Sequence, residues 1–221
     1  GRFNMSGYFN GSDPKHIYLM PNIVAENIDL DTFLFKFENF GQDHLVSDNL
    51  KGRVSTTIDG KIRIYPDLVP DLDQSEVQMD VKVFQGKLQN YGPMTLLSDY
   101  MGDKNLKNVQ FDTLINHIDI TNGKITIPTM TIESTLGHME LSGNQDMDHN
   151  FEYFLRIPWK TVKQAARYKL FANKNNKSIE EEEEIVELDP NEKVRYLNVK
   201  LQGTTDDFKV SIGKAKKESI D

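Results

Sequence analysis

The sequence predicts a mainly β protein: an antiparallel, strongly twisted meander forming a β-groove, or an open sandwich, with two or three short amphipathic helices. Three observations predict this. Apolar residues recur at every second position in several segments, turn-forming glycine pairs punctuate those segments, and apolar runs at helical spacing are few and short. Period-two alternation gives each strand one apolar and one polar face, and an antiparallel sheet of such strands is covered on one side.

The strands can be taken in turn. Val77, Met79, Val81 and Val83 alternate with Gln78, Asp80 and Lys82; Phe151, Tyr153, Leu155 and Ile157 form a second row, and Phe208, Val210 and Ile212 a third. In "DITNGKITIP", Asp119 to Pro128, Asn122-Gly123 fits a two-residue type I′ loop, whose central positions both need positive φ. Thr121 then faces Lys124, Ile120 faces Ile125 and Ile118 faces Ile127, with the four isoleucines on one face. Pro128, which has no N–H to donate, should end the strand or lie on an edge. Met130 and Ile132, then Met139 and Leu141, renew the alternation across a turn near Gly137. Related Gly-Lys pairs at Asp59-Gly60-Lys61 and Gln85-Gly86-Lys87 predict further turns, the first a three-residue loop with Gly60 left-handed. Apolar-x-Gly recurs at Gly7, Gly52, Gly143 and Gly203, and the uneven spacing of the Gly-Lys pairs suits loosely repeated strand pairs rather than a strict solenoid.

Helical spacing appears at Leu30, Phe33, Leu34 and Phe37, with Asp29 or Asp31 as N-cap. Pro93 to Met101 reads as a second helix with proline in its first turn. Pro158 to about Ala172 reads as a third, with Trp159, Val162, Ala166 and Leu170 along one side. Residues 173–191 hold five consecutive glutamates, Glu180 to Glu184; charges so dense repel one another and bury little, so this acidic stretch reads as a flexible loop. Val194, Tyr196, Val199 and Leu201 then lead into a final strand pair. The whole of 1–221 reads as one domain.

Composition narrows the function. With 34 acidic and 26 basic residues the net charge is −8, which repels nucleic-acid backbones, and no basic cluster offsets it. Without cysteine there are no disulfides, thiolate sites or cysteine nucleophiles. The five histidines lack metal-ligand spacing, and Asp146-Met-Asp148-His149 lacks the glycine and terminal glutamate of a calcium loop, so it reads as a turn. Asp67, Asp71 and Asp73 supply carboxylates of the kind a glycosidase pairs, but among prolines they read better as an exposed loop. No nucleophile elbow, P-loop or dinucleotide fingerprint is present. No cofactor is expected. The chain opens in strand-like sequence without a signal-peptide pattern and reads as a fragment of a longer protein.

The apolar rows remain. They fit either a closed sandwich core, as in a structural or protein-interaction module, or a sheet face left open to acyl chains. Periodicity alone does not separate the two.

Gly86-Lys-Leu-Gln-Asn-Tyr-Gly-Pro-Met94, Leu106-Lys-Asn-Val-Gln-Phe-Asp-Thr-Leu114, the stretch Ile120 to Ser134, and Leu141-Ser-Gly143 together resemble the C-terminal region of AsmA-like proteins. Leu201 to Lys209 looks like that family's closing strand, and Leu30 to Phe40 with Leu50-Lys-Gly52 fits the elements before it. The resemblance spans nearly the whole chain through apolar and turn residues. It implies a periplasmic segment of a bacterial envelope protein, tethered to the inner membrane by an N-terminal anchor that this chain does not include. It also implies likeness to bridge-like lipid-transfer proteins, a phospholipid or other acyl lipid as partner, a role in outer-membrane assembly, envelope proteins as further partners, and no catalytic residues. On that reading Ile118, Ile120, Ile125, Ile127, Met130, Ile132, Met139 and Leu141 would line the lipid-facing surface. Their mixture of isoleucine and adaptable methionine thioethers suits a guest of changing shape.

Overall fold

The computed structural model describes residues 1–36, 46–92, 94, 95, 98, 104–158, 195–204 and 207–213. Within them the strands form one antiparallel sheet in chain order. These are β1 (Arg2–Asn10), β2 (Ile17–Asp29), β3 (Leu50–Ile64), β4 (Pro70–Gln89), β5 (Asn108–Thr121), β6 (Lys124–Ser134), β7 (Gly137–Asp146), β8 (Phe151–Pro158), β9 (Tyr196–Gly203) and β10 (Phe208–Gly213). Every strand pairs with its sequence neighbours, so the sheet is an open meander with β1 and β10 at its edges. Among the described residues all ten strands belong to one hydrogen-bonded sheet.

The predicted hairpin has the expected register. Asn122 and Gly123 have φ of 51° and 68°, and Thr121 opposes Lys124 while Ile120 opposes Ile125. The β5–β6 ladder resumes at Phe111 and Ser134 in the same register, which puts Ile118 opposite Ile127. The turn near Gly137 also forms, with Gly137 at φ 88°, as does the Asp146–Asn150 turn, where Asn150 donates its backbone N–H to Asp146 Oδ1 at 2.8 Å.

Three expectations about turns and strand ends are corrected. Asp59-Gly60 does not turn; β3 runs straight through it, with Gly60 opposite Val77. The glycine is there for space, because a Cβ on Gly60 would lie 2.8 Å from the Glu76 carbonyl oxygen. Gln85-Gly86 likewise lies inside β4, where Gln85 at φ 48° breaks the alternation and Gly86 faces the ring of Phe111. Pro128 does not end β6. It sits in a register shift between Ile127 and Met130, one of the few sheet positions a proline tolerates. The shift also explains how Ile125 and Ile127 share a face with Met130 and Ile132, although three residues rather than two separate Ile127 from Met130.

The first helix forms as α1 (Leu30–Lys36), burying Leu30 and Leu34. The Thr32 N–H is shared between Asp29 Oδ1 at 3.4 Å and Asp31 Oδ1 at 2.7 Å, so both proposed caps contribute. Phe37 lies outside the described residues. Of the second predicted helix only Met94, Thr95 and Ser98 are described; all three are helical, and Thr95 N–H bonds the Tyr91 carbonyl at 2.8 Å. The third helix, apart from Pro158 at the end of β8, and the acidic 173–191 stretch lie outside the described residues.

The core gathers on one side of this sheet and toward one end of its first five strands. Leu30 and Leu34 of α1, Met94, Leu106 and Leu136 join Val54, Val83, Val109 and Phe111 from the strands. Phe151, Leu155 and Ile157 of β8 with Leu197, Val199 and Leu201 of β9 continue the same cluster. Each buried side chain of this size contributes about 1.5–3 kcal/mol relative to exposure.

Candidate functional site: a half-buried apolar sheet face

Register decides which side chains share a face. Met5 opposes Ile23, Ile23 opposes Ile58, Ile58 opposes Met79 and Met79 opposes Ile118. These five side chains therefore form one continuous row across β1 to β5. Met79 and Val83 lie four residues apart along β4, so the row shares a face with the core. Yet none of the five belongs to the core cluster. Ile23, Ile58, Met79 and Ile118 are half-buried, and Met5 is 57% exposed. A parallel row nearer the hairpin turns, Val77, Ile120 and Ile125, is likewise outside the cluster, though Val77 is buried. On the edge strand Phe3 and Phe9 share the face of Met5 and are exposed as well.

The eight residues singled out by the sequence fall into three groups. Met130, Ile132 and Met139 are buried within the cluster. Ile127 and Leu141 are half-buried at its margin, while Ile118, Ile120 and Ile125 are half-buried beyond it. They do share one apolar face, which is buried at one end and half-buried beyond it among the described residues. Ile23, Ile58 and Met79 extend that face into strands that the sequence reading left out of the site. The signal was present: the apolar positions of β3 and β4 alternate as those of β5 do, but the false turn at Gly60 concealed their register.

The opposite face is polar and carries a separate cluster. His117 Nδ1 lies 2.7 Å from Asp80 Oδ1 and its Nε2 lies 3.3 Å from Asp119 Oδ1. The Asp80 hydrogen bond, with help from both carboxylate charges, raises the imidazole above its ordinary pKa. A depression of about 460 Å³ lies beside His117, bordered by Val24, Thr57, Asp80, Lys82 and Ile115. Elsewhere on this face Arg156 donates to Glu140 at 2.6 Å and Lys200 pairs with Glu152. Among the described residues no group of three or more histidine, aspartate or glutamate side chains is arranged to hold a metal ion.

The three aspartates weighed as a glycosidase set have structural surroundings. Asp71 is buried and lies 3.8 Å from Arg63 Nε. Asp67 Oδ1 accepts the Val69 N–H at 3.3 Å, and Asp73 lies against Gly123 of the neighbouring turn.

At the margin of the core Tyr153 donates to Gln145 Oε1 at 2.8 Å, and burial pushes its phenol up to about 12. Burial raises Tyr91 as well. Both phenols stay neutral, so this margin keeps an uncharged character.

No family model, curated protein or solved structure matches the chain. No helix among the described residues is long and apolar enough to cross a membrane.

Proposed function

We propose that the chain is a non-enzymatic lipid-binding segment of the cell envelope whose apolar sheet face forms a groove that holds and guides phospholipid acyl chains. The observation that carries this reading is the Met5, Ile23, Ile58, Met79, Ile118 row, which continues the apolar face beyond its cover. A contiguous apolar row that stays only half-buried, with Met5 exposed at its end, supports an interaction surface. A row crossing the strands, rather than a closed pocket, suits a flexible linear guest. The likeness of the Gly86–Ser134 region to AsmA-like proteins points the same way, and with it to a periplasmic position and an inner-membrane tether.

Magnitudes favour a two-chain lipid. About ten buried methylenes would return roughly 8 kcal/mol at ~0.8 kcal/mol each, against an association cost of about 4–15 kcal/mol. A single acyl chain then binds weakly, and a diacyl lipid gains a margin. The competing reading, an interaction module with a closed core, draws on the burial of Met130, Ile132 and Met139. That burial accounts for one end of the face and leaves the Ile58 row unexplained.

Mass spectrometry of lipid extracted from the purified chain tests the proposal. The wild type should carry phospholipid, and the Ile58→Asp/Ile118→Asp variant should carry none while melting cooperatively, because neither residue belongs to the core cluster. A wild-type chain free of lipid, or an equally loaded variant, would contradict it.

A further inference from the structure

The hairpin joining β3 to β4 ends in Tyr65-Pro-Asp-Leu-Val-Pro70, at the end of the sheet away from α1. Its apex exposes large apolar side chains: Leu68 is 69% exposed, Val69 51% and Tyr65 45%. Leu68 holds φ at 69°, a left-handed conformation that a branched apolar residue rarely takes and that glycine or asparagine would occupy without strain.

The backbone of this apex is nearly self-sufficient. Tyr65 N–H bonds the Val69 carbonyl at 2.9 Å and Leu68 N–H the Tyr65 carbonyl at 2.8 Å. Val69 N–H bonds Asp67 Oδ1, and the two prolines have no N–H. A partner that adds a strand needs open donors, whereas an apolar phase tolerates only backbone whose polar groups are satisfied from within. The apex is also braced. Buried Ser75 accepts the Arg63 N–H at 2.9 Å and donates to the Asp71 carbonyl at 2.5 Å. Arg63 reaches the Lys15 carbonyl at 3.0 Å, which ties the apex to the β1–β2 turn.

We propose that the 65–70 apex seats in the headgroup and upper acyl layer of a zwitterionic lipid bilayer and brings the β3–β4 end of the apolar face against the membrane. The placement is continuous, since buried Ile64 and its ladder partner Pro70 join the apex to the apolar face of β3 and β4, and exposed Phe9 lies at the same end. The charges choose the lipid. The apex carries Asp67, Asp71 and Asp73 follow close behind, and the chain as a whole is at −8, so an anionic surface repels it. This inference deepens the lipid reading above and rests on it, because an entry point is of use only to a face that takes lipid.

Flotation with phosphatidylcholine vesicles tests it on Leu68→Asn/Val69→Ser, a variant whose new residue 68 accepts the left-handed backbone and should leave folding intact. Wild type should float with the vesicles and the variant roughly tenfold less, with flotation falling further as phosphatidylglycerol is added. Binding of a monomeric fluorescent short-chain diacyl phosphatidylcholine, measured in parallel, should be equal in both. A wild type that stays unbound, or a variant that floats as well as wild type, overturns the apex proposal. Failure of the wild type to bind that monomeric diacyl lipid instead overturns the groove reading, and the two failures are thus told apart.

Discussion

Gly86 gives up its side-chain space to a neighbour: a Cβ built there would lie 2.0 Å from the ring of Phe111, its cross-strand partner. The ring covers the glycine backbone and is itself buried. Gly86→Ala should therefore cost about 1–3 kcal/mol through overpacking, and on a Phe111→Leu background the same substitution should cost measurably less, as urea titration of the four-member cycle would read. Equal costs on both backgrounds would mean that the ring is not what the glycine serves. Residues of this kind mark the limit of what the sequence makes legible. Asn122-Gly123 is readable as a turn because two adjacent residues that tolerate positive φ leave little else. Asp59-Gly60 looks the same and is straight strand, since the requirement for glycine comes from the Glu76 carbonyl and Val77 on β4, contacts no local pattern reveals.

At the scale of elements, β4 holds a feature that the sequence hides. Its ladder with β3 jumps between Lys61–Glu76 and Arg63–Asp71, so residues 72–75 form a wide bulge held by Ser75, which is 1% exposed. Ser75→Ala would leave the Arg63 N–H without its acceptor inside the fold, at a cost of about 1–3 kcal/mol. Hydrogen exchange should find the loss of protection concentrated at residues 61–76. A uniform loss across the sheet would contradict the staple. Nothing distinguishes Ser75 from an exposed serine until the register is known. Pro128 is the converse case: its inability to donate was legible, but the choice between a strand end and a register shift depended on pairing with β7. The α1 helix was legible because its apolar spacing and aspartate caps are local signals. Strand identity in β8 and β10 was legible for the same reason, through uninterrupted period-two rows.

For the whole molecule, alternation told which side chains share a face but not where that face is covered. Among the described residues the burial comes from one cluster that also takes in α1, Met94, Leu106, Leu136 and residues of β8 and β9, which lie far from β5 and β6 in sequence or outside their strands. Hence Met130, Ile132 and Met139 are sealed while Ile118, Ile120 and Ile125, equally apolar in sequence, are left half-buried. The lipid proposal depends on that difference along one face. Its most direct test places a photo-crosslinking amino acid in turn at positions 78, 79, 117 and 118, expresses each protein in a Gram-negative cell, irradiates it, and measures crosslinked phospholipid by mass spectrometry. Crosslinks from 79 and 118, with none from 78 and 117, are the predicted result; equal yields from both faces, or none from either, would contradict an apolar face that holds lipid.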